Sequence, residues 1–193
     1  YAQKSLTINQ KIFSNEHPDI SQNLNNMAAI YENLGNNREA EILYNRALGI
    51  NEKIFGKFHP KVAMNLDNLA VLYYNKEIFG EATENIQIEP FIKRALEIRE
   101  KIFGSNHPDV ALSLNNLSSL YNVQGKHQES LKLLQRSLAI YEKAYGTKHT
   151  QVAIQYCSVK EKEGVRSRKI CSRIYCENNK KLRDLLFLFE TVV

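Results

Sequence analysis

Apolar and small residues return along this chain at fixed distances from a recurring histidine. Counting from His17, His59 and His107, positions +7, +10, +11 and +14 are Leu24, Met27, Ala28 and Tyr31, then Leu66, Leu69, Ala70 and Tyr73, then Leu114, Leu117, Ser118 and Tyr121. The i, i+3, i+4, i+7 spacing predicts an amphipathic helix in each unit. Pro18, Pro60 and Pro108 suit its first turn, where a missing N–H has no helical partner to lose. Thr150 stands there in a fourth unit, after His149. The stretches "LGNN" (34–37) and "QGK" (124–126) place glycine where that helix ends. A second helix is predicted over "EAEILYNRALGINEKIFG" (39–56) and "ESLKLLQRSLAIYEKAYG" (129–146). Its apolar face includes Ala40, Leu43, Tyr44, Ala47, Leu48 and Ile50, and it stops at Gly56 or Gly146.

The four histidines are 42, 48 and 42 residues apart. Self-similarity at such a period marks an array of supersecondary units. A two-helix hairpin cannot bury both apolar faces alone, but stacked hairpins can. The predicted fold is therefore all-α, a solenoid of antiparallel helix hairpins with 42-residue repeats. Residues 1–156 would hold a half repeat, three full repeats and the start of a fourth. The opening "SLTINQKIF" (5–13) aligns with the second half of a repeat, so a longer array is expected on that side. The longer interval carries six extra residues, placed at "ENIQIE" (84–89) by aligning from both directions. Six is not a whole number of turns, and Pro90 follows, so a kink or looped-out turn is expected at 84–90. It is either a partner-specific protrusion or a tolerated insertion.

The strings "NNMAAIYENLGNNREAEILYNRALGINEKIFGKFHP" (25–60) and "LNNLSSLYNVQGKHQESLKLLQRSLAIYEKAYG" (114–146) resemble the tetratricopeptide repeat, and within it the long variety of kinesin light chains. The resemblance spans about residues 1–156. It implies a right-handed superhelix whose first helices line a concave groove, used for docking peptides and proteins and not for catalysis.

Helical residues advance about 100° each. Position +9 then falls on the face opposite the apolar stripe, and it is Asn26, Asn68 and Asn116. The same face holds +5 (Gln22, Met64, Leu112), +12 (Ala29, Val71, Ser119) and +16 (Asn33, Asn75, Val123). An asparagine amide both donates and accepts, so it can hold the N–H and C=O of an extended peptide. If the groove is as the resemblance implies, the peptide-binding residues are Gln22, Asn26, Asn33, Met64, Asn68, Asn75, Leu112, Asn116 and Val123. From geometry alone the same asparagines can instead bond the adjacent repeat and set its stacking angle, or be solvated. The preceding position +8 (Asn25, Asp67, Asn115) lies nearer the core edge and is a weaker candidate. Kinesin light chain grooves are associated with acidic cargo. Here the free face carries Lys61 but also Asp19 and Asp109, so a mixed apolar and polar ligand segment is expected.

Composition narrows the remaining options. Of 193 residues, 43% are hydrophobic and 24% charged, which is globular and not disordered. The net charge of +5 sits mostly in residues 157–193, with nine Lys/Arg against five Asp/Glu. The repeat region is nearly neutral, so no nucleic acid is expected as a partner. Residues 157–193 form a divergent basic tail, in which Leu182, Leu185, Leu186 and Phe189 suggest a capping helix. Self-association through that tail and the array ends is the alternative to peptide docking. The stretch "LRDLLFLFETVV" is too short and too charged to cross a bilayer, so no membrane insertion is expected. Cys157, Cys171 and Cys176 make neither a disulfide framework nor a zinc pattern, and point to a reduced, cytoplasmic setting. The four histidines fall one per repeat, too spread for one metal ion, and read as residues that open helices. No phosphate-binding glycine motif or nucleophile motif is present, so neither a cofactor nor an enzymatic activity is expected.

Overall fold

The computed structural model describes residues 17–78 and 88–163. Among them are seven helices: α1 Pro18–Asn33, α2 Asn37–Phe55, α3 Pro60–Ile78, α4 Glu89–Phe103, α5 Pro108–Val123, α6 His127–Tyr145 and α7 Thr150–Lys162. No strand occurs among the described residues. The expected all-α hairpin repeat is present. The insertion at 84–89 falls almost wholly outside the described residues. So do the tail leucines, Phe189, Cys171, Cys176 and the opening half repeat. Pro90 lies in the first turn of α4, the one place in a helix where proline removes no bond.

The recurring histidine is the residue that opens each first helix. Nδ1 of His17, His59, His107 and His149 accepts the backbone N–H two residues on, at 3.2, 3.2, 3.2 and 3.1 Å. An unprotonated ring nitrogen thus does what a serine or aspartate oxygen does at other helix starts. The rings of His59 and His149 also stack on Phe55 and Tyr145, at 4.3 and 4.5 Å between centroids. This explains why an aromatic residue, a glycine and a histidine recur together. Each second helix ends at a glycine, and Gly56 has φ 81° and ψ 168°. That region of backbone space is open essentially to glycine alone. It turns the chain from one hairpin into the next.

The described residues fall into two compact units, divided between Ser105 and Asn106. In the first unit, α1 pairs with α2, α3 pairs with α4, and α2 lies against α3. One core cluster joins Ile20, Leu24, Met27, Ala47 and Ile50. A second joins Val62, Ala63, Leu66, Ala95 and Ile98, and Leu48 of α2 packs against it. In the second unit, α5 pairs with α6, and α7 lies against α6. Leu114, Leu117, Ile140 and Val152 are buried there.

Each hairpin crosses at a buried pair of small residues, which lets two backbones approach closely. The pairs are Ser21 with Ala47, Ala63 with Ala95, and Ala111 with Ser137. Ser21 Oγ donates to the Ala47 carbonyl at 3.1 Å, and Ser137 Oγ to the Ala111 carbonyl at 3.2 Å. The serine stands on the first helix in one repeat and on the second in the other, yet the contact is conserved. A second crossing pairs the buried Ser118 and Ser130, and the equivalent positions of the first hairpin, Ala28 and Ala40, are buried too. The two serines bond each other's carbonyls at 3.0 and 2.9 Å.

Candidate peptide-binding face

Burial on the first helices runs further round than the predicted stripe. Positions +3 and +4 are buried in every described repeat: Ile20 and Ser21, Val62 and Ala63, Val110 and Ala111, Val152 and Ala153. Helices α1, α3 and α5 pack against the second helix of their own hairpin, and α3 and α7 pack against the second helix of the hairpin before. The sector at +5, +9, +12 and +16 holds no buried residue in α1, α3 or α5.

The nine predicted site residues all lie in that sector. In the first unit, Gln22, Asn26 and Asn33 on α1 are exposed, and Met64, Asn68 and Asn75 on α3 are half-buried. In the second unit, Leu112 and Val123 on α5 are 45% and 52% exposed, and Asn116 is half-buried. Several have intramolecular partners. Gln22 Nε2 donates to Asn26 Oδ1 at 3.1 Å. Asn75 Nδ2 donates to Glu32 Oε1 at 3.0 Å, inside a polar web between α1, α2 and α3. In that web Tyr44 Oη also donates to Glu32, at 3.1 Å. Burial first, then the Glu32 charge and this hydrogen bond, raise the Tyr44 phenol well above its ordinary range, so it stays a donor. Tyr73 Oη and Lys76 Nζ hold Glu41 at 3.0 and 2.9 Å. Asn75 therefore braces neighbouring repeats as well as bordering the free face.

Two rows of asparagine, one residue apart, do different things. Asn25 at +8 is 5% exposed, and Asn65 at +6 of the next repeat is fully buried. Asn65 Nδ2 donates to Asn25 Oδ1 at 2.8 Å, and Asn51 Nδ2 on α2 donates to Asn65 Oδ1 at 2.6 Å. In the second unit Gln155 takes the +6 place, and its Nε2 donates to Asn115 Oδ1 at 2.8 Å and to the Leu134 carbonyl at 3.4 Å. Asp67, the +8 residue of the second repeat, pairs with Arg99 on α4, Nη1 to Oδ2 at 2.5 Å. Position +8 thus belongs to the packing, and position +9, about 100° further on, faces outward. The bonded amides stand next in sequence to Asn26 and Asn116 and tie α1 to α3 and α5 to α7.

Sequence reasoning passed over Ile154. It stands at +5 of the fourth repeat, the place of Leu112 in the third, and is 53% exposed. The ruler that found Leu112 would have found it. It also left Val71 (+12) outside the site, although that side chain is exposed. Charged groups are sparse on the face. Asp19 and Asp109 are exposed in the first turns of α1 and α5, and Lys61 Nζ lies 5.0 Å from the Phe55 ring centroid. Among the described residues no group of three or more His, Cys, Asp or Glu could hold a metal ion.

The tetratricopeptide repeat family matches residues 1–53, 19–85, 81–143 and 111–158. The chain belongs to the tetratricopeptide repeat family. Its fold is generally that of a non-catalytic protein-interaction scaffold. Similar solved structures include BtubC (BKLC) from P. vanneervenii, 21% identical with a TM-score of 0.68, covering 96% of this chain and 71% of that one. A second is the nearly identical TPR-like repeats of a kinesin light chain-like protein of Podosopora anserina, 20% identical with a TM-score of 0.65, covering 94% of this chain and 83% of that one. A third is the apo form of RapI, 14% identical with a TM-score of 0.66, covering 95% of this chain and 62% of that one. At these identities the likeness is one of fold. No curated protein sequence matches the chain at significance. No helix among the described residues of this tetratricopeptide repeat protein is long and apolar enough to cross a membrane.

Proposed function

We propose that the chain is a docking scaffold in which the first helices of each unit take an extended segment of a partner protein along their +5, +9, +12 and +16 face. The observation that carries this reading is selective exposure. Packing buries the apolar stripe of these helices, while the row is half-buried or exposed in both units and carries asparagines and aliphatic side chains. Asn26, Asn68 and Asn116 would grip the peptide backbone, which needs a donor and an acceptor on one side chain. Met64, Leu112, Val123 and Ile154 would read its side chains. With few charges on the row, the preferred segment is uncharged and partly aliphatic. The scaffold does no chemistry: its four recurring histidines already serve as helix caps, and its buried polar groups hold repeats together.

The test is selection from a displayed library of random short peptides, followed by affinity measurement on the selected peptides. Asn68→Ala with Asn116→Ala leaves far-UV circular dichroism unchanged and weakens binding at least tenfold. Undiminished binding by that variant would refute the backbone grip. Selected peptides rich in Asp and Glu would refute the uncharged preference.

A further inference from the structure

Each first helix starts at a ring nitrogen that can accept an N–H only while it is unprotonated. The residue that donates this N–H lies two places on, and it changes from repeat to repeat: Asp19, Lys61, Asp109 and Gln151. In α1 and α5 the same residue also brings a carboxylate to the ring. Asp19 Oδ2 lies 3.6 Å from His17 Nδ1, and Asp109 Oδ2 lies 3.8 Å from His107 Nδ1. In α3 the place is taken by an ammonium, Lys61. In α7 it is taken by a neutral amide, Gln151, and Lys148 precedes the histidine. Each unit therefore holds one histidine cap backed by a carboxylate and one that is not.

A proton on Nδ1 turns the acceptor into a donor, which then opposes the backbone N–H it used to hold. In α1 and α5 the new ring N–H has Asp19 or Asp109 beside it, so an ion pair takes the place of the lost bond. In α3 and α7 the new charge meets the partly positive end of the helix, and in α3 it meets Lys61 as well. We propose that mild acid loosens the starts of α3 and α7 while those of α1 and α5 hold, a pH-sensitive device set by the residue two places after each histidine. The other charges at the α3 start do not supply the missing carboxylate. Lys57 is exposed in the turn, and Lys101 of α4 lies 3.9 Å from the Phe58 ring centroid. Glu52, in the last turn of α2, is bonded by Arg94 of α4, and Glu100, in the last turn of α4, is half-buried. Burial, and then the Lys61 charge, already disfavour a proton on His59. The unfolded ring binds it more readily, so what acid removes is the stability of the α3 start. At the α7 start, Glu142 and Lys143 in the last turn of α6 are one of each sign.

The loosening is readable because the first intrahelical bonds run to the histidine carbonyls. The N–H groups of Ser21, Ala63, Ala111 and Ala153 donate to His17, His59, His107 and His149, and all four donors are buried. The inference does not rest on the peptide-docking reading, and its test involves no ligand. Hydrogen exchange of these four amides is measured by NMR on the full chain at pH 7.5 and pH 5.0, with protection taken relative to an unstructured chain at each pH. Ala63 and Ala153 are expected to lose about fivefold of their protection in acid, the effect of losing a helix cap, and Ser21 and Ala111 under about twofold. K61D/Q151D supplies the two carboxylates and is expected to abolish the loss, while D19N/D109N extends it to Ser21 and Ala111. Equal losses at all four amides of the parent, or none at any, overturn the proposal. So does a loss shared by the amides of Leu66 and Leu114, since the whole unit then opens instead of the helix start. Loss at Ala63 and Ala153 in K61D/Q151D as large as in the parent, or no new loss in D19N/D109N, overturns it as well; if a variant does not fold, the four parent amides decide alone.

Discussion

The amide bridge at Asn65 gives a prediction whose size follows from its geometry. Asn65 is fully buried and makes two side-chain bonds, one donated at 2.8 Å to Asn25 and one accepted at 2.6 Å from Asn51. Asn65→Ala removes both at once. Asn25 and Asn51, at 5% and 1% exposure, stay inside with no side-chain partner, since Asn25 Nδ2 and Asn51 Oδ1 already lack a protein partner among the described residues. Stranding a buried polar group costs about 1–3 kcal/mol each, so the substitution is expected to cost about 2–5 kcal/mol. That is a large share of the ~5–15 kcal/mol by which domains are stable. The measurement is urea unfolding followed at 222 nm. Hydrogen-exchange protection in α1, α2 and α3 is measured alongside it, because repeat arrays can unfold in parts. The companion variant, N25L/N51L/N65L, removes all three amides and leaves no stranded group. It is expected to be nearly neutral or stabilising, as when buried polar clusters are replaced by apolar residues of similar volume. An Asn65→Ala loss below about 0.5 kcal/mol would refute the reasoning, because the amides would then not depend on one another. So would a triple variant as unstable as the single one.

Leu66, almost fully buried in the second core cluster, should cost about 2–5 kcal/mol when changed to alanine, read from the same urea curves. Gly56→Ala should cost about 1–3 kcal/mol although the added Cβ would meet nothing within 4 Å. The penalty is in the backbone at φ 81°, and an unchanged midpoint would disprove it. Burial, and secondarily the Lys61 charge, hold His59 below its ordinary value. The unfolded chain therefore takes up that proton first. The stabilising contribution is present above about pH 6.5, the unfolded value, and is lost as pH falls from there through the lower folded value. His59→Asn keeps a capping acceptor without the titration, so its stability should decline less than the parent's between pH 7 and 5; parallel declines would contradict this.

How much was legible in the sequence depends on how local the cause is. The hairpins were legible because the 3.6-residue period of Leu24, Met27, Ala28 and Tyr31 needs only the helix itself to place those side chains on one face. The histidines were legible as residues that open helices, from their place before proline. That their ring nitrogens do the capping, and that Phe55 and Tyr145 stack on them, appeared only when the turns were in place. The residues expected on the free face are exposed or half-buried, and Ile154 at +5 of the fourth repeat is exposed as well, although the apolar stripe fades soon after it.

The two asparagines of "LNN" mark the boundary between what each level decides. The sequence by itself determined that Asn25 and Asn26, and again Asn115 and Asn116, project about 100° apart near the edge of the apolar stripe. It could not determine which of the two would be enclosed. Only the tertiary structure decided that, because burial at that edge depends on how closely the next repeat's helix approaches. With α3 against α2, Asn25 meets Asn65 and is sealed in; with α7 against α6, Asn115 meets Gln155 and stays half-buried. Of the +9 amides, one residue on, Asn26 is exposed and Asn116 half-buried. A single chain's periodicity encodes the faces of one helix, while the partner that covers an edge lies about 40 residues away and is fixed only by packing.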